Sequence, residues 1–184
     1  MQVISKSIAD QIGNASWIRR MFEEGNELRR RFGADRVFDF SLGNPDLPPP
    51  PATAAALDQI RREVHQPRSL GYVSNAGMPE LRAALAAALA EEQQAPGLKA
   101  AHVLVACGAA GALTSFFRAV LEPGDEVLCP APYFVEYGFY CGHFGGVLKP
   151  VPALKPGFDL DVAAMLAAIG PSTRVIIINS PNNP

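Results

Sequence analysis

The sequence predicts an α/β protein: a mostly parallel sheet with helices on both faces, preceded by an N-terminal helical arm. From Ala52 onward, short apolar runs alternate with stretches of helical period, the pattern of βαβ units. The runs are apolar throughout rather than alternating, which suits strands covered on both faces. Turn signals such as Pro123-Gly124 separate them.

In chain order, Trp17, Ile18, Met21, Phe22 and Leu28 recur at helical spacing and predict an amphipathic helix over residues 16–32, with Gly25 a candidate break. Residues Arg36 to Asn44, RVFDFSLGN, alternate like a short strand and run into the connector NPDLPPPP, where consecutive prolines donate no backbone hydrogen bonds. A helix over 52–66 and the loop QPRSLGYVSNAG follow. Met78 to about Gln94 then forms a helix carrying Leu81, Leu85 and Leu89 on one stripe. HVLVAC reads as a strand, AAGALTSFFRAVL as a helix and EVLCP as a strand. Residues 134–144 read as a helix, GVLKPV as a strand, 159–169 as a helix and RVIIIN as the last strand.

The 184 residues suffice for a sizeable core, and a composition 48% hydrophobic and 18% charged is globular. A net charge of −2 argues against a nucleic-acid surface, since Arg19-Arg20 and Arg29-Arg30-Arg31 are diluted by Glu23, Glu24 and Glu27. Cys107, Cys129 and Cys141 are odd in number and form no C-x-x-C pair, so neither a disulfide framework nor a zinc site is expected. No run approaches the roughly 20 apolar residues of a membrane span. A cytoplasmic setting without membrane or metal is the expectation.

The stretch HVLVACGAAGALTSF places Cys107 to Gly111 between a strand and a helix. The first N–H groups of a helix are unpaired and carry partial positive charge, so this turn suits a phosphate. Taken alone, the glycines serve equally well merely to turn the chain. The spacing is G-x-x-G rather than G-x-G-x-x-G, and EVLCPAP offers no acidic residue for a ribose hydroxyl. Both departures disfavour a dinucleotide-binding oxidoreductase.

Five stretches, in order and covering almost the whole chain from about residue 36, resemble the class I/II aminotransferases, the pyridoxal-phosphate (PLP) enzymes of fold type I. FSLGNPD is similar to the family's G-x-P-D element. GYVSNAGMPELRAALA is similar to its Y-x-x-x-x-G-x-x-x-L-R segment, with Tyr72, Gly77, Leu81 and Arg82 in register. VACGAAGAL resembles the phosphate turn, EPGDEVLCPAPYFVEY the G-D-E-V and P-x-P-aromatic stretch, and NSPNNP the opening of N-P-N-N-P-T-G.

The resemblance implies the fold type I large domain and a role for each matching residue. Backbone N–H groups of Gly108, Ala109 and Ala110 would hold the cofactor phosphate, although alanines stand where the family often has a hydroxyl or amide. Phe134 would stack on the pyridine ring and Asn183 would donate to its 3′ oxygen. Tyr72 would reach the phosphate of a partner subunit in a homodimer, and Gly43 would offer its N–H to the substrate carboxylate. Without the motifs, Phe134 reads as a core aromatic, Tyr137 as packing, Tyr72 as a helix anchor, and Gly43 and Asn183 as turn residues. Residues 1–51 would be the arm and connector, part of the family's small domain. Residues 52–184 would be the first part of the PLP-binding large domain.

No catalytic residue is assigned within these residues. Lys6, Lys99, Lys149 and Lys155 do not resemble the family's Ser-x-Ser-Lys segment and read as surface lysines. The Schiff-base lysine, the acidic partner of the pyridine nitrogen and the arginine for the substrate carboxylate would all follow VIIINSPNNP. The expected function is transfer of an amino group between an amino acid and a 2-oxo acid, with this chain holding the N-terminal half of the site. If the polypeptide ends at Pro184, no turnover is expected. The alternatives are a truncated, inactive domain that binds phosphate or PLP weakly, and a PLP-dependent lyase of the same fold. Substrate identity stays open, since by the resemblance only fragments such as Ser16 to Trp17 or Asn75 would contribute to the side-chain pocket from this chain.

Overall fold

The structure, a computed structural model, describes residues 3–38, 40, 43 and 47–183, and the side chains of 7, 10–19 and 22 lie outside that description. Two compact units divide the chain, Met1–Gly71 and Tyr72–Pro184.

The first unit opens on α1, Lys6–Phe32, ten residues ahead of the expected start. Ser5 caps it, its hydroxyl accepting from the Ile8 N–H at 3.3 Å. Gly25 does not break the helix, because a single glycine costs only about 1 kcal/mol in a long one. The stop is Gly33 at φ 92°, with Arg29, Arg30 and Arg31 in the last turn complementing the dipole. Of the proposed apolar stripe, Met21 and Leu28 are exposed, while the side chains of Trp17, Ile18 and Phe22 are outside the described set.

Among the described residues of 36–44 the expected strand is not found. Arg36 closes a 3-10 turn, Ala34–Arg36, and Val37, Phe38, Phe40 and Gly43 pair with nothing in a ladder. Asp39, Ser41, Leu42 and Asn44 to Asp46 lie outside the described residues. The connector ends one residue early, because Pro51 opens α2, Pro51–Glu63, at the first helical position, where a missing N–H costs nothing.

In the second unit, α3 spans Pro79–Glu92, α4 Gly108–Val120, α5 Glu136–Gly142 and α6 Val162–Ala168. Between them run β1, Glu126–Ala131, β2, Val147–Pro152, and β3, Thr173–Ile176. The sheet is wholly parallel in the order β2-β1-β3. Edge position is what lets β2 keep Pro150 and Pro152, which have no N–H to give a second neighbour.

Central β1 is buried on both faces. Val127 and Cys129 point to one, among Phe117 of α4, Leu121 just after it, Tyr137 and Cys141 from α5, and Ile177. Leu128 points to the other, with Val151 and Met165 of α6. Helices therefore cover both faces, as the continuous apolar runs require.

Two expectations fail here. Residues 102–107 form no strand: His102 closes a 3-10 turn, Ala100–His102, and 103–107 join no ladder among the described residues, although Val103 keeps extended angles and is buried. The leucine stripe of α3 is 37–44% exposed, and Ala86 is the residue of α3 that is buried. Lys149 also departs from the surface reading. It sits inside β2, half-buried, its Nζ 3.0 Å from Glu126 Oε2 and 3.0 Å from the Ala168 carbonyl.

Candidate functional site

Strand ends place the site. β1 and β3 are neighbours and parallel, so the segments after them, 132–135 and 177–183, leave the same edge of the sheet, where open α/β folds bind ligands. Ile177 extends the ladder by one bond, its N–H donating to the Leu128 carbonyl at 2.8 Å. The Asn182 side-chain amide then donates to the Pro132 carbonyl at 2.8 Å, fastening the turn after β3 to the loop after β1. The fastening residue is thus Asn182, one position before the asparagine singled out from the sequence. Asn183 itself is exposed.

Phe134 stands in that loop, half-buried, its ring centroid 5.6 Å from that of Tyr137 in an edge-on contact at 79°. Tyr137 is buried in the core and packs there, and burial pushes its phenol above the ordinary range. Tyr140 donates to the Glu136 carboxylate, a bond that pushes its phenol up to about 12. Neither hydroxyl is a base near neutral pH. A depression of about 260 Å³ lies on the same edge, between Cys129 and Pro130, the loop at Phe158 to Leu160, and Ile178 to Ser180. Burial raises the Cys129 thiol to about 11, so beside the depression it is an apolar core group rather than a thiolate.

The turn before α4 has the character of an anion site. Gly108 has φ 72°, a backbone that favours glycine, and a Cβ there would meet nothing within 4 Å. Cys107 at the cap makes no side-chain hydrogen bond to the first turn, and Gly108, Ala109 and Ala110 are all exposed. The opening N–H groups of a 13-residue helix are thus left to an outside partner. α4 is tied to the sheet edge through the core, where its Leu113 and Phe117 share one cluster with Tyr137 and Phe134. An uncapped helix start, a flat aromatic and a side-chain amide fit, in kind, a phosphorylated heteroaromatic ring.

Tyr72, at the head of the second unit, is fully exposed, and Gly43 is exposed in the first. Cys107, Cys129 and Cys141 are free, and no group of three His, Cys, Asp or Glu among the described residues could hold a metal ion. Among those residues no helix is long and apolar enough to cross a membrane.

Two features escape sequence reasoning. Arg82 donates from Nε and Nη2 to the carbonyls of Val103 and Ala100, both at 2.7 Å, and Gly77 meets Val105. The only advance signal for either is its place in the G-x-x-x-L-R segment.

Comparison with known proteins bears on the family and the fold. The model of the family described as aminotransferase class I and II matches residues 35–184. A probable aspartate/prephenate aminotransferase of Aquifex aeolicus is 38% identical over 162 residues, 88% of this chain and 39% of its own length. The aspartate/prephenate aminotransferase of Thermus thermophilus is 38% identical over 161 residues, 86% of this chain and 40% of its own. Among solved structures, an aminotransferase from Eubacterium rectale superposes with a TM-score of 0.87 at 36% identity, covering 100% of this chain and 46% of that one. Aspartate aminotransferase from Thermus thermophilus with maleate gives 0.81 at 34% identity, with the same coverage. The chain thus spans 39% to 46% of the length of these relatives. With a family match over residues 35–184 and a fold shared along its whole length, the chain belongs to the class I and II aminotransferases.

Proposed function

We propose that the chain carries the N-terminal half of a PLP site at which an amino group passes between an amino acid and a 2-oxo acid. The observation that carries this reading is the uncapped, exposed start of α4, tied through the core to Phe134 at the carboxyl edge of β1. The family is PLP-dependent in general, and the bound cofactor supplies an electron sink for the amino acid's α-carbon.

On this reading the N–H groups of Gly108, Ala109 and Ala110 hold the phosphate, and the ring of Phe134 supports the pyridine. Asn183 donates its amide to the 3′ oxygen and stabilises it as an anion, while Asn182 keeps that turn in place through Pro132. Gly43 offers its N–H to the substrate carboxylate, and Tyr72 reaches the phosphate held by a second copy in a homodimer. Its full exposure leaves Tyr72 free to do so. Residues 1–51 act as arm and connector and 52–184 as the first part of the cofactor-binding domain. Proton transfer at the α-carbon needs a lysine, and Lys149 is engaged by Glu126 and Ala168. Lys6, Lys99 and Lys155 lie in no segment like the family's Ser-x-Ser-Lys, so on this reading the base is none of these four lysines. The relatives' names favour aspartate as donor.

The test is to load the full-length protein with PLP, trap with borohydride, map the adduct, and assay amino transfer from L-aspartate to a 2-oxo acid. One adduct, on a lysine other than Lys6, Lys99, Lys149 and Lys155, with transfer, is expected. A protein that binds no PLP or transfers no amino group overturns the proposal.

A further inference from the structure

The segment that leads into the phosphate turn is held from one side by three attachments. The Arg82 guanidinium donates from Nε to the Val103 carbonyl and from Nη2 to the Ala100 carbonyl, both at 2.7 Å. The Val105 N–H donates to the Ala76 carbonyl at 3.0 Å. Gly77, at φ 101°, lies so close that a Cβ built on it would come within 2.8 Å of Val105 Cβ and Cγ2. Arg82 is in the first turn of α3, so all three contacts run between the start of α3 and residues 100–105.

Resting on the phosphate reading of α4, we infer that Arg82 is a positioning residue for the PLP phosphate, acting through the backbone that it holds ahead of Gly108. Among the described residues 103–107 belong to no ladder, and the bonds that hold them run to Ala76 and Arg82. The rigid planar fork of the guanidinium fixes this segment, because it holds two carbonyls at once in a set geometry. Val105 is three residues from Gly108, and a shift at 103–105 passes along so short an extended run into the N–H groups of Gly108 to Ala110. Anion binding at a helix start depends on those N–H groups converging on one point, and it suffers from sub-ångström displacement. Arg82 touches no ligand on this account, and its loss removes phosphate recognition while the ring contact at Phe134 stays.

The experiment compares the full-length protein with R82M and R82K, measuring affinity for PLP and for 5′-deoxypyridoxal, which has the same ring and no phosphate. Melting temperature without ligand is recorded beside it. R82M is expected to weaken PLP about tenfold or more, equivalent to about 1.4 kcal/mol, and 5′-deoxypyridoxal by less than about twofold. R82K keeps the charge with a single donor group and falls between, at a selective loss of about threefold. If R82M does not fold, R82K decides. Equal loss for both ligands, or no loss, overturns the inference and leaves Arg82 as a clamp of the fold alone. Wild-type protein that binds PLP no more tightly than 5′-deoxypyridoxal removes the phosphate reading itself, and the inference with it.

Discussion

Asn182 and Pro132 are joined by a 2.8 Å hydrogen bond from side-chain amide to backbone carbonyl, across fifty positions of sequence. The bond sets the turn that bears Asn183 against the loop that bears Phe134, so two candidate contacts of one ring are held by a third residue. Replacing Asn182 by Ala leaves an exposed carbonyl that water can satisfy, so the stability cost is about 0.5–1.5 kcal/mol. PLP affinity should fall several-fold, about 3 to 10 times, because the Asn183 turn is no longer fastened. Chemical denaturation and ligand titration of N182A check both.

Thiol chemistry reads the same site from α4. Cys107 is exposed beside Gly108, whereas Cys129 and Cys141 are buried. Iodoacetamide at pH 8 should label Cys107 alone among these three in the folded protein, and all of them once urea unfolds it. Saturating PLP should slow labelling of Cys107, since its phosphate would sit on the adjoining N–H groups. Peptide mass mapping gives the answer, and an unchanged rate would count against the placement of the phosphate.

Alkaline pH should weaken the fold. Burial raises the Cys129 thiol from the ordinary 9.0 to about 11. Cys141 is also raised by burial, against hydrogen bonds that lower it. The folded chain therefore keeps protons that the unfolded chain releases, and stability falls with pH wherever the unfolded state binds fewer protons. The contribution is whole below pH 9 and is lost as pH rises towards about 11. Urea midpoints at pH 8 and pH 10 should differ, with a smaller difference in C129A than in the parent.

The largely apolar run Glu126 to Ala131, bounded by Pro123-Gly124 and Pro132, identifies a doubly covered strand from local pattern alone, and the structure buries Val127, Leu128 and Cys129. The glycine turn at Gly108 is equally local: positive φ, small neighbours and a helix behind it are properties of adjacent residues. Those features are legible because turn chemistry and hydrophobic period act within a few residues.

Residues 102–107 carry the same apolar signal as β1 and make no strand, because a ladder needs another segment's N–H and C=O groups. Lys149 looks like a surface lysine between Leu148 and Pro150. Only the register that sets Leu128 against it, and the end of α6 beside it, bring Glu126 and the Ala168 carbonyl to its ammonium. Arg82 finds its carbonyls 18 and 21 residues away, and Asn182 its own 50 away. Helix, turn and apolar strand propensity belong to neighbouring residues and can be read along the chain. Pairing partners belong to distant ones, and they come within bonding reach only when the core around Phe117 and Leu128 has closed.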